Sequence, residues 1–341
     1  MRKILLPLFL VIGAICSISA NAQTAKIYRD GVVLNGIFNA DSVIFSKQAI
    51  KAYKGGVEIY HITDVDSVSF AEPTTTVCTG GFSVSEDLQV SFAPGNLQHT
   101  HTYFTNSWSF AAHQYDMIGE DNLDNGSMNS VIDLFGWSGT NYTAAFGVST
   151  STNDYEYYGS FVDWGKNIIG SDTANTWRTP TTQEWQYLLR YRTDARLLQG
   201  VARIRINDDG TQYANGLILL PDGWTCPDGI TFKSGESNQP MSREAFADFQ
   251  TFTLAEWHTL EASGAVFLPA GGMRNGRKME AVGYGGYYHS ASKYSQDASY
   301  MVYFCSSTIL DDDTHLLRVG QSVRLVKDMQ PTDSSTKANR H

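Results

Sequence analysis

Residues 267–327 read FLPAGGMRNGRKMEAVGYGGYYHSASKYSQDASYMVYFCSSTILDDDTHLLRVGQSVRLVK, a stretch that sets polar and aromatic side chains within strand patterns and glycines. Tyr, His, Ser, Lys and Asp follow one another in irregular order there, and residues of these types make adaptable contacts in binding loops. Alternation along residues 299–305 predicts a core face formed by Tyr300, Val302 and Phe304. It predicts that the opposite face is exposed to a partner: Ser299, Met301, Tyr303 and Cys305.

The first residues of the chain have the pattern of a secretory signal peptide. Arg2 and Lys3 precede an apolar run over residues 4–18, and the small residues Ala20 and Ala22 predict cleavage after residue 22. We expect an exported protein, placed outside the cell, at its surface or in the periplasm. A lipoprotein form anchored through Cys16 is disfavoured, because Ile15 stands where a small residue is required.

Charge and cysteine content exclude several classes of protein. The formal net charge is −10, which argues against nucleic acid or an anionic membrane as the partner. No apolar run after the signal peptide is long enough to span a bilayer. Cleavage leaves an odd number of cysteines without close spacing, so at most one disulfide forms and its pairing stays open: Cys78, Cys226 and Cys305.

An internal repeat follows the signal peptide. Residues 26–45 align without a gap with residues 51–70, and each copy has the pattern of three strands joined by turns. We therefore predict a two-copy β module over residues 23–72, in which the copies pack on each other. Either an attachment module or a plain small β domain fits this pattern. The polar, proline-containing residues 73–79 predict a linker.

Residues 80–328 predict a second, larger domain of the α+β class. Thr181 and Glu184 have the spacing of a capping box that starts a helix, and Thr253 and Glu256 repeat it. Residues 215–221 have the composition of a buried strand that ends at a proline. The polar residues 329–341 predict a disordered tail.

Five stretches of this domain, taken in order, resemble a group of exported Bacteroidetes proteins with a C-type-lectin-like fold. They are WRTPTTQEW (177–185), NGLILLPDGW (215–224), FLPAGGMRNG (267–276), GYYHSAS (286–292) and SVRLV (322–326). The resemblance implies that the first and last strands of the domain pair, which would place residues 89–92 beside residues 322–326. It also implies a structural frame made of Trp177, Arg178, Pro180, Glu184, Trp185 and Arg324.

The same group includes variable proteins of diversity-generating retroelements, in which the segment before the last strand is rewritten at adenine-rich codons. Residues 287–321 resemble such a segment. His289, Cys305 and Gln321 stand where members of the group usually carry Trp, Asn and an aromatic residue. Rewritten codons explain these departures, and so does drift in a relative that was never diversified. Lys293 and Gln296 lie outside the reach of an AAC codon, which favours the second explanation slightly.

We predict that the C-terminal loops bind a protein or glycan ligand, with a fixed-specificity adhesin or sugar-binding component as the alternative. Enzymes that generate formylglycine share the fold superfamily, but they require a close pair of C-terminal cysteines, and only Cys305 is present. We predict no catalytic residue, metal or cofactor. The predicted ligand contacts are Tyr288, His289, Lys293, Tyr294, Asp297, Ser299, Met301, Tyr303, Cys305, Asp311, Asp312, Asp313, His315 and Leu316.

Overall fold

A computed structural model describes the chain over residues 25–29, 32–36, 42–46, 49–54, 57–63, 67–70, 80–102, 106–123, 130–138, 145–207 and 209–329. The chain divides into two compact units, Met1–Thr75 and Thr76–His341. The predicted signal peptide and linker, and the tail from residue 330 onward, lie outside the described residues.

Strands of the first unit follow the internal repeat. They are β1 (Ala25–Arg29), β2 (Val32–Gly36), β3 (Ser42–Ser46), β4 (Ala49–Lys54), β5 (Val57–Thr63) and β6 (Ser67–Phe70). They form two sheets, in the orders β2-β1-β6 and β3-β4-β5. Lys26 pairs with Ser69, and its repeat equivalent Lys51 pairs with Ile44, the equivalent of Ser69. Each copy of the repeat therefore gives its third strand to the sheet of the other copy.

The second unit is built mostly from strands with few helices, a broadly α+β architecture. Its strands are β7 (Phe82–Ser83), β8 (Gln89–Phe92), β9 (Leu97–His101), β10 (Asn106–Phe110), β11 (Ser130–Ile132), β12 (Leu134–Phe135), β13 (Gln199–Arg205), β14 (Tyr213–Leu219), β15 (Thr251–Thr253), β16 (Val266–Pro269), β17 (Met273–Asn275), β18 (Lys278–Glu280), β19 (Gly285–Lys293), β20 (Ala298–Cys305), β21 (Thr308–Leu316), β22 (Gln321–Ser322) and β23 (Val326–Asp328). Its helices are α1 (Thr182–Gln186), α2 (Arg243–Phe249) and α3 (Leu254–Ala262), and a π-helical turn, Tyr187–Tyr191, continues α1.

Two larger sheets of this unit contribute residues to its main core clusters. One has the order β12-β22-β19-β20-β21, and the other has the order β15-β13-β14-β16. Smaller sheets are formed by β10-β9-β11, β23-β8-β7 and β17-β18. The predicted buried strand is present as β14, in which Leu217, Ile218 and Leu219 are fully buried.

Both predicted helix starts are confirmed. At α1 the Glu184 carboxylate accepts a hydrogen bond from the Thr181 backbone N–H at 2.7 Å, and Thr181 caps the Glu184 N–H in return. Thr253 and Glu256 form the same reciprocal pair at α3. Arg178 binds the Glu184 carboxylate through two nitrogens at 2.6 and 2.8 Å, which ties the α1 cap to the preceding loop.

The first and last strands pair as predicted, but in a shifted register: residues 90–92 pair with residues 326–328, and of the predicted partners 322–326 only Val326 takes part. In β23 and β8, Val326 lies opposite Phe92. The contact continues outside the named strands, where the Ala93 N–H donates to the Leu325 carbonyl at 2.9 Å and Leu97 donates to Val323 at 2.9 Å. This pairing brings the N-terminal and C-terminal strands of the unit together.

Arg324 lies inside this closure and is only 1% exposed. Its guanidinium donates hydrogen bonds to the Asn96 side chain (3.0 Å) and to the backbone carbonyls of Ala93 (3.1 Å), Gln114 (3.3 Å) and Phe267 (2.7 Å). The Arg324 side chain therefore joins three parts of the unit: the stretch between β8 and β9, the loop that contains Gln114, and β16 of the second large sheet.

Replacing Arg324 with Met should lower the free energy of unfolding by at least about 3 kcal/mol, because several buried acceptors lose a charged donor. Urea denaturation of the two proteins measures this loss. The matched control is Arg196→Met, since Arg196 is an exposed arginine and its replacement should change stability by less than about 0.5 kcal/mol. Equal losses in the two variants would contradict the structural role of Arg324.

Candidate functional site

The predicted contact residues lie on and around β19, β20 and β21, which pair antiparallel in the first large sheet. Tyr287 lies opposite Tyr303, and His289 lies opposite Met301, so these side chains share one face. On the other face Val302 and Phe304 are fully buried in the main core, as predicted. Tyr300, the third residue of the predicted core face, is only half-buried and contacts the ring of Tyr294 edge-on at 5.2 Å.

Tyr288 is not a contact residue, and this prediction is wrong. Strand alternation places it on the core face, where it is fully buried and its ring stacks on Phe304 at 6.0 Å. Its hydroxyl donates to the Pro269 carbonyl at 2.8 Å and accepts from the Asn96 amide at 3.1 Å. Burial raises the pKa of this hydroxyl well above its usual range. Tyr288 therefore belongs to the frame rather than to the surface.

The face predicted to be exposed is largely covered. Ser299, Met301 and Cys305 are all buried, so the prediction that they are available to a partner is wrong. Segments distant in sequence lie against this sheet, because the ring of Trp164 and the Phe135 carbonyl contact His289 and the indole N–H of Trp137 donates to the Ser290 carbonyl at 3.1 Å. These covering segments are distant in sequence, so alternation within the strand does not reveal them.

His289 is buried on the same face and is also wrongly predicted as a contact. Its Nε2 lies 2.6 Å from the Phe135 carbonyl oxygen, and its ring lies 5.3 Å from that of Trp164. Because a carbonyl only accepts, Nε2 carries the proton and donates. Burial lowers the pKa of the imidazole to about 4, so the ring is neutral near pH 7.

The buried His289 gives the protein a defined dependence on pH. Since the folded pKa is about 4 against an ordinary value of 6.5, the unfolded chain binds a proton in this window that the folded chain does not. The free energy of unfolding therefore falls as pH falls from 6.5 towards 4, by at most about 1.4 kcal/mol per unit from this residue.

The variant His289→Gln keeps an N–H donor but cannot titrate. Urea denaturation at neutral pH and near the lower end of this window should show a smaller loss of stability in the variant than in the original protein. Other titrating groups act equally in both proteins and cancel in the comparison. Identical pH dependence in the two proteins would show that His289 does not carry this effect.

A β-bulge determines which of the three consecutive aspartates are buried and which are exposed. The register between β20 and β21 shifts between Met301 and Tyr303, so that Asp311 and Asp312 together oppose Val302. Asp311 consequently turns inward, is 5% exposed, and forms an ion pair with Arg190 from the π-helical turn. The prediction that Asp311 contacts a ligand is therefore wrong. Asp312 stays exposed beside the same arginine, with a distance of 3.8 Å between charged atoms.

The remaining predicted contacts are accessible, and together with one further residue they define what we term the C-terminal surface. Tyr294 is 59% exposed, and Lys293 and Asp297 beside it are exposed too. Tyr303, Asp313, His315 and Leu316 are half-buried. The full set is Tyr287, Lys293, Tyr294, Asp297, Tyr303, Asp312, Asp313, His315 and Leu316.

Sequence reasoning missed two members of this neighbourhood. The ring of Tyr287 lies 5.0 Å from that of Tyr303 and 6.5 Å from that of His315. Alternation along β19 could have identified it, because Tyr287 and His289 share a face. Met241 accepts a hydrogen bond from the Tyr303 hydroxyl at 3.4 Å and is 50% exposed, but it lies on a distant loop and gives no signal in the sequence.

Among the described residues, no group of three or more His, Cys, Asp or Glu side chains is arranged to hold a metal ion. Cys226 is exposed, Cys305 is buried, and neither forms a disulfide, while Cys78 lies outside the described residues. No helix within the described ranges is both long and apolar enough to cross a membrane. Comparisons of the chain with protein-family models, curated proteins and solved structures find no match.

Substitutions in the C-terminal surface and in the buried frame should have different effects on the free energy of unfolding. The double variant Tyr294→Ser, Asp312→Asn removes two exposed side chains and should change the free energy of unfolding by less than about 1 kcal/mol. Tyr288→Ser removes a fully buried ring and should cost at least about 3 kcal/mol. Thermal or urea denaturation of the three proteins measures both values. A large loss of stability in the double variant would contradict the assignment of Tyr294 and Asp312 to the surface.

Proposed function

We propose that this chain is an exported or surface-displayed binding protein with a C-type-lectin-like fold, and that its C-terminal surface contacts a protein or glycan ligand. One observation carries the proposal. One exposed and two half-buried tyrosines cluster with charged side chains on a sheet whose core face carries the fully buried Tyr288, Val302 and Phe304. A binding site on a rigid scaffold requires a packed frame that holds such side chains in place at the surface.

The chemistry of the C-terminal surface also favours binding. Tyr294, Tyr287 and Tyr303 offer large side chains with few rotatable bonds, which give contact area at a low cost in conformational entropy. Lys293, Asp297 and other charged groups around them add polar contacts that can adapt to a partner. Tyrosine is among the residues that contribute most to the binding energy of protein interfaces.

The proposal includes a history of codon rewriting over residues 287–321, as in variable proteins of diversity-generating retroelements. The exposed positions there are held by strands that do not depend on them, so many side chains would be tolerated. A fixed-specificity adhesin is the second candidate. It is favoured by the burial of His289, Ser299, Met301 and Cys305, because rewriting these packed positions would disturb the fold.

Deep sequencing of the 3′ end of the gene across many cells of one population tests this history. Rewriting predicts variation at codons of accessible residues: Tyr287, Tyr294, Asp297, Tyr303, Asp312, Asp313 and His315. It predicts constant codons for packed residues: Tyr288, Val302, Phe304 and Arg324. Uniform sequence at all these codons would refute diversification and leave a binding protein with one inherited specificity.

A further inference from the structure

A pair of tyrosines outside the C-terminal stretch lies in a short, firmly held turn. Residues 154–157 form a 3₁₀ turn in which the Asn153 side chain caps the Tyr155 N–H. Tyr157 points inward, is fully buried, and donates from its hydroxyl to the Ser149 carbonyl at 2.8 Å. Tyr155 points outward and is 65% exposed, and its ring meets that of Tyr158 edge-on at 5.3 Å. We term residues 153–159 the tyrosine turn.

The tyrosine turn lies directly against the C-terminal surface. The Lys293 ammonium donates to the Gly159 carbonyl at 3.3 Å, which joins the turn to the loop that carries Tyr294. Arg318, just after β21, forms an ion pair with Asp154 at 2.8 Å. Burial raises the pKa of Tyr158, and so do the negative charges of Asp154 and Asp297, which lie near it. The tyrosines of the turn and those of the C-terminal surface therefore belong to one continuous area.

The charge of this combined area is negative. Its acidic side chains are Asp154, Glu156, Asp297, Asp312 and Asp313, and its basic side chains are Lys293, Arg318 and Arg190, of which Arg190 pairs with the buried Asp311 and lies beside Asp312. Arg318 is already paired with Asp154, so the basic charge left for a partner is small. A tyrosine face attracts a guanidinium or an ammonium group, and neighbouring carboxylates strengthen that attraction. The formal net charge of the whole chain is −10, so the electrostatic potential of the rest of the chain also attracts basic groups.

We infer that the tyrosine turn is part of the ligand-binding surface and that the ligand is a protein presenting arginine or lysine side chains. This inference rests on the proposed function and deepens it. The basic groups of the partner stack on Tyr155, Tyr158 and Tyr294 and pair with Asp297 and Asp312. Charge complementarity favours a basic protein surface over a glycan, since neutral sugars can hydrogen-bond to the carboxylates but gain no charge–charge attraction from them.

The test uses the full chain and a fluorescent oligo-arginine peptide as the probe, with binding followed by fluorescence anisotropy. The neutral control peptide carries citrulline in place of every arginine. The variant Tyr155→Ser, Tyr158→Ser should weaken oligo-arginine binding by about tenfold or more, since two stacking sites for a cation are lost. Asp297→Asn should weaken binding and make it less sensitive to salt. The citrulline peptide should not bind measurably.

The matched control variant is Leu197→Ser, because Leu197 is also 62% exposed and belongs to neither the tyrosine turn nor the C-terminal surface. It should bind the peptide as the original protein does. Equal effects of the Tyr155→Ser, Tyr158→Ser variant and of the Leu197→Ser variant would overturn the inference. Failure of the original protein to bind oligo-arginine, equal binding of the citrulline peptide, or glycan-array binding that depends on Tyr155 would overturn it as well.

One comparison separates this inference from the proposed function. If Tyr294→Ser, Asp312→Asn abolishes peptide binding while Tyr155→Ser, Tyr158→Ser does not, the C-terminal surface binds alone and the tyrosine turn is excluded. If only the tyrosine-turn variant loses binding, the ligand binds at the tyrosine turn and not at the C-terminal surface, and the proposed function is wrong about the site. Loss of binding in both variants, with Leu197→Ser unaffected, supports a single two-part surface.

Discussion

The buried guanidinium of Arg324 is the constraint on which the structure of the larger unit depends. A charged group in the interior is tolerated only when hydrogen bonds replace its water, and Arg324 finds its acceptors on stretches around Asn96, Gln114 and Phe267. It stands just after β22 and just before β23, the strand that pairs with β8. The chain between β16 and Arg324 is thus fastened at both ends, and this is the part that carries the C-terminal surface.

Because this part of the chain is anchored at both ends, the same strands can carry both the frame residues and the proposed binding residues. Side chains on one face of β19 and β20, Tyr288 and Phe304 among them, pack into the core and hold the sheet. The opposite face and the hairpin loop then hold Tyr303 and Tyr294 where a partner can reach them. The bulge at Asp311 adds a third effect, because it turns one carboxylate inward to Arg190 and leaves Asp312 outside.

Local signals in the sequence predicted the local features of the fold. Capping boxes identified the starts of α1 and α3, and apolar runs identified β14, because these features depend on residues within a few positions of each other. Burial on β19, β20 and β21 was predicted poorly, since it depends on long segments folding over the sheet and on a bulge that changes the register. Alternation distinguishes two faces of a strand, but it does not show which of them a distant loop covers. The residues mispredicted or missed for this reason are His289, Ser299, Met301, Cys305, Asp311 and Met241. Tyr287 and Tyr288 are different, because alternation along β19 alone assigns them to opposite faces.

The central claim is that the C-terminal surface changes freely while the frame stays folded. Protease resistance of displayed libraries measures this claim most directly. One library randomises surface residues together: Lys293, Tyr294, Asp297, Tyr303 and Asp312. A second library randomises packed residues of the same strands: Tyr288, Val302 and Phe304. The account predicts that most members of the first library resist protease like the parent and that most members of the second are cleaved. Cleavage of most members of the first library would contradict it.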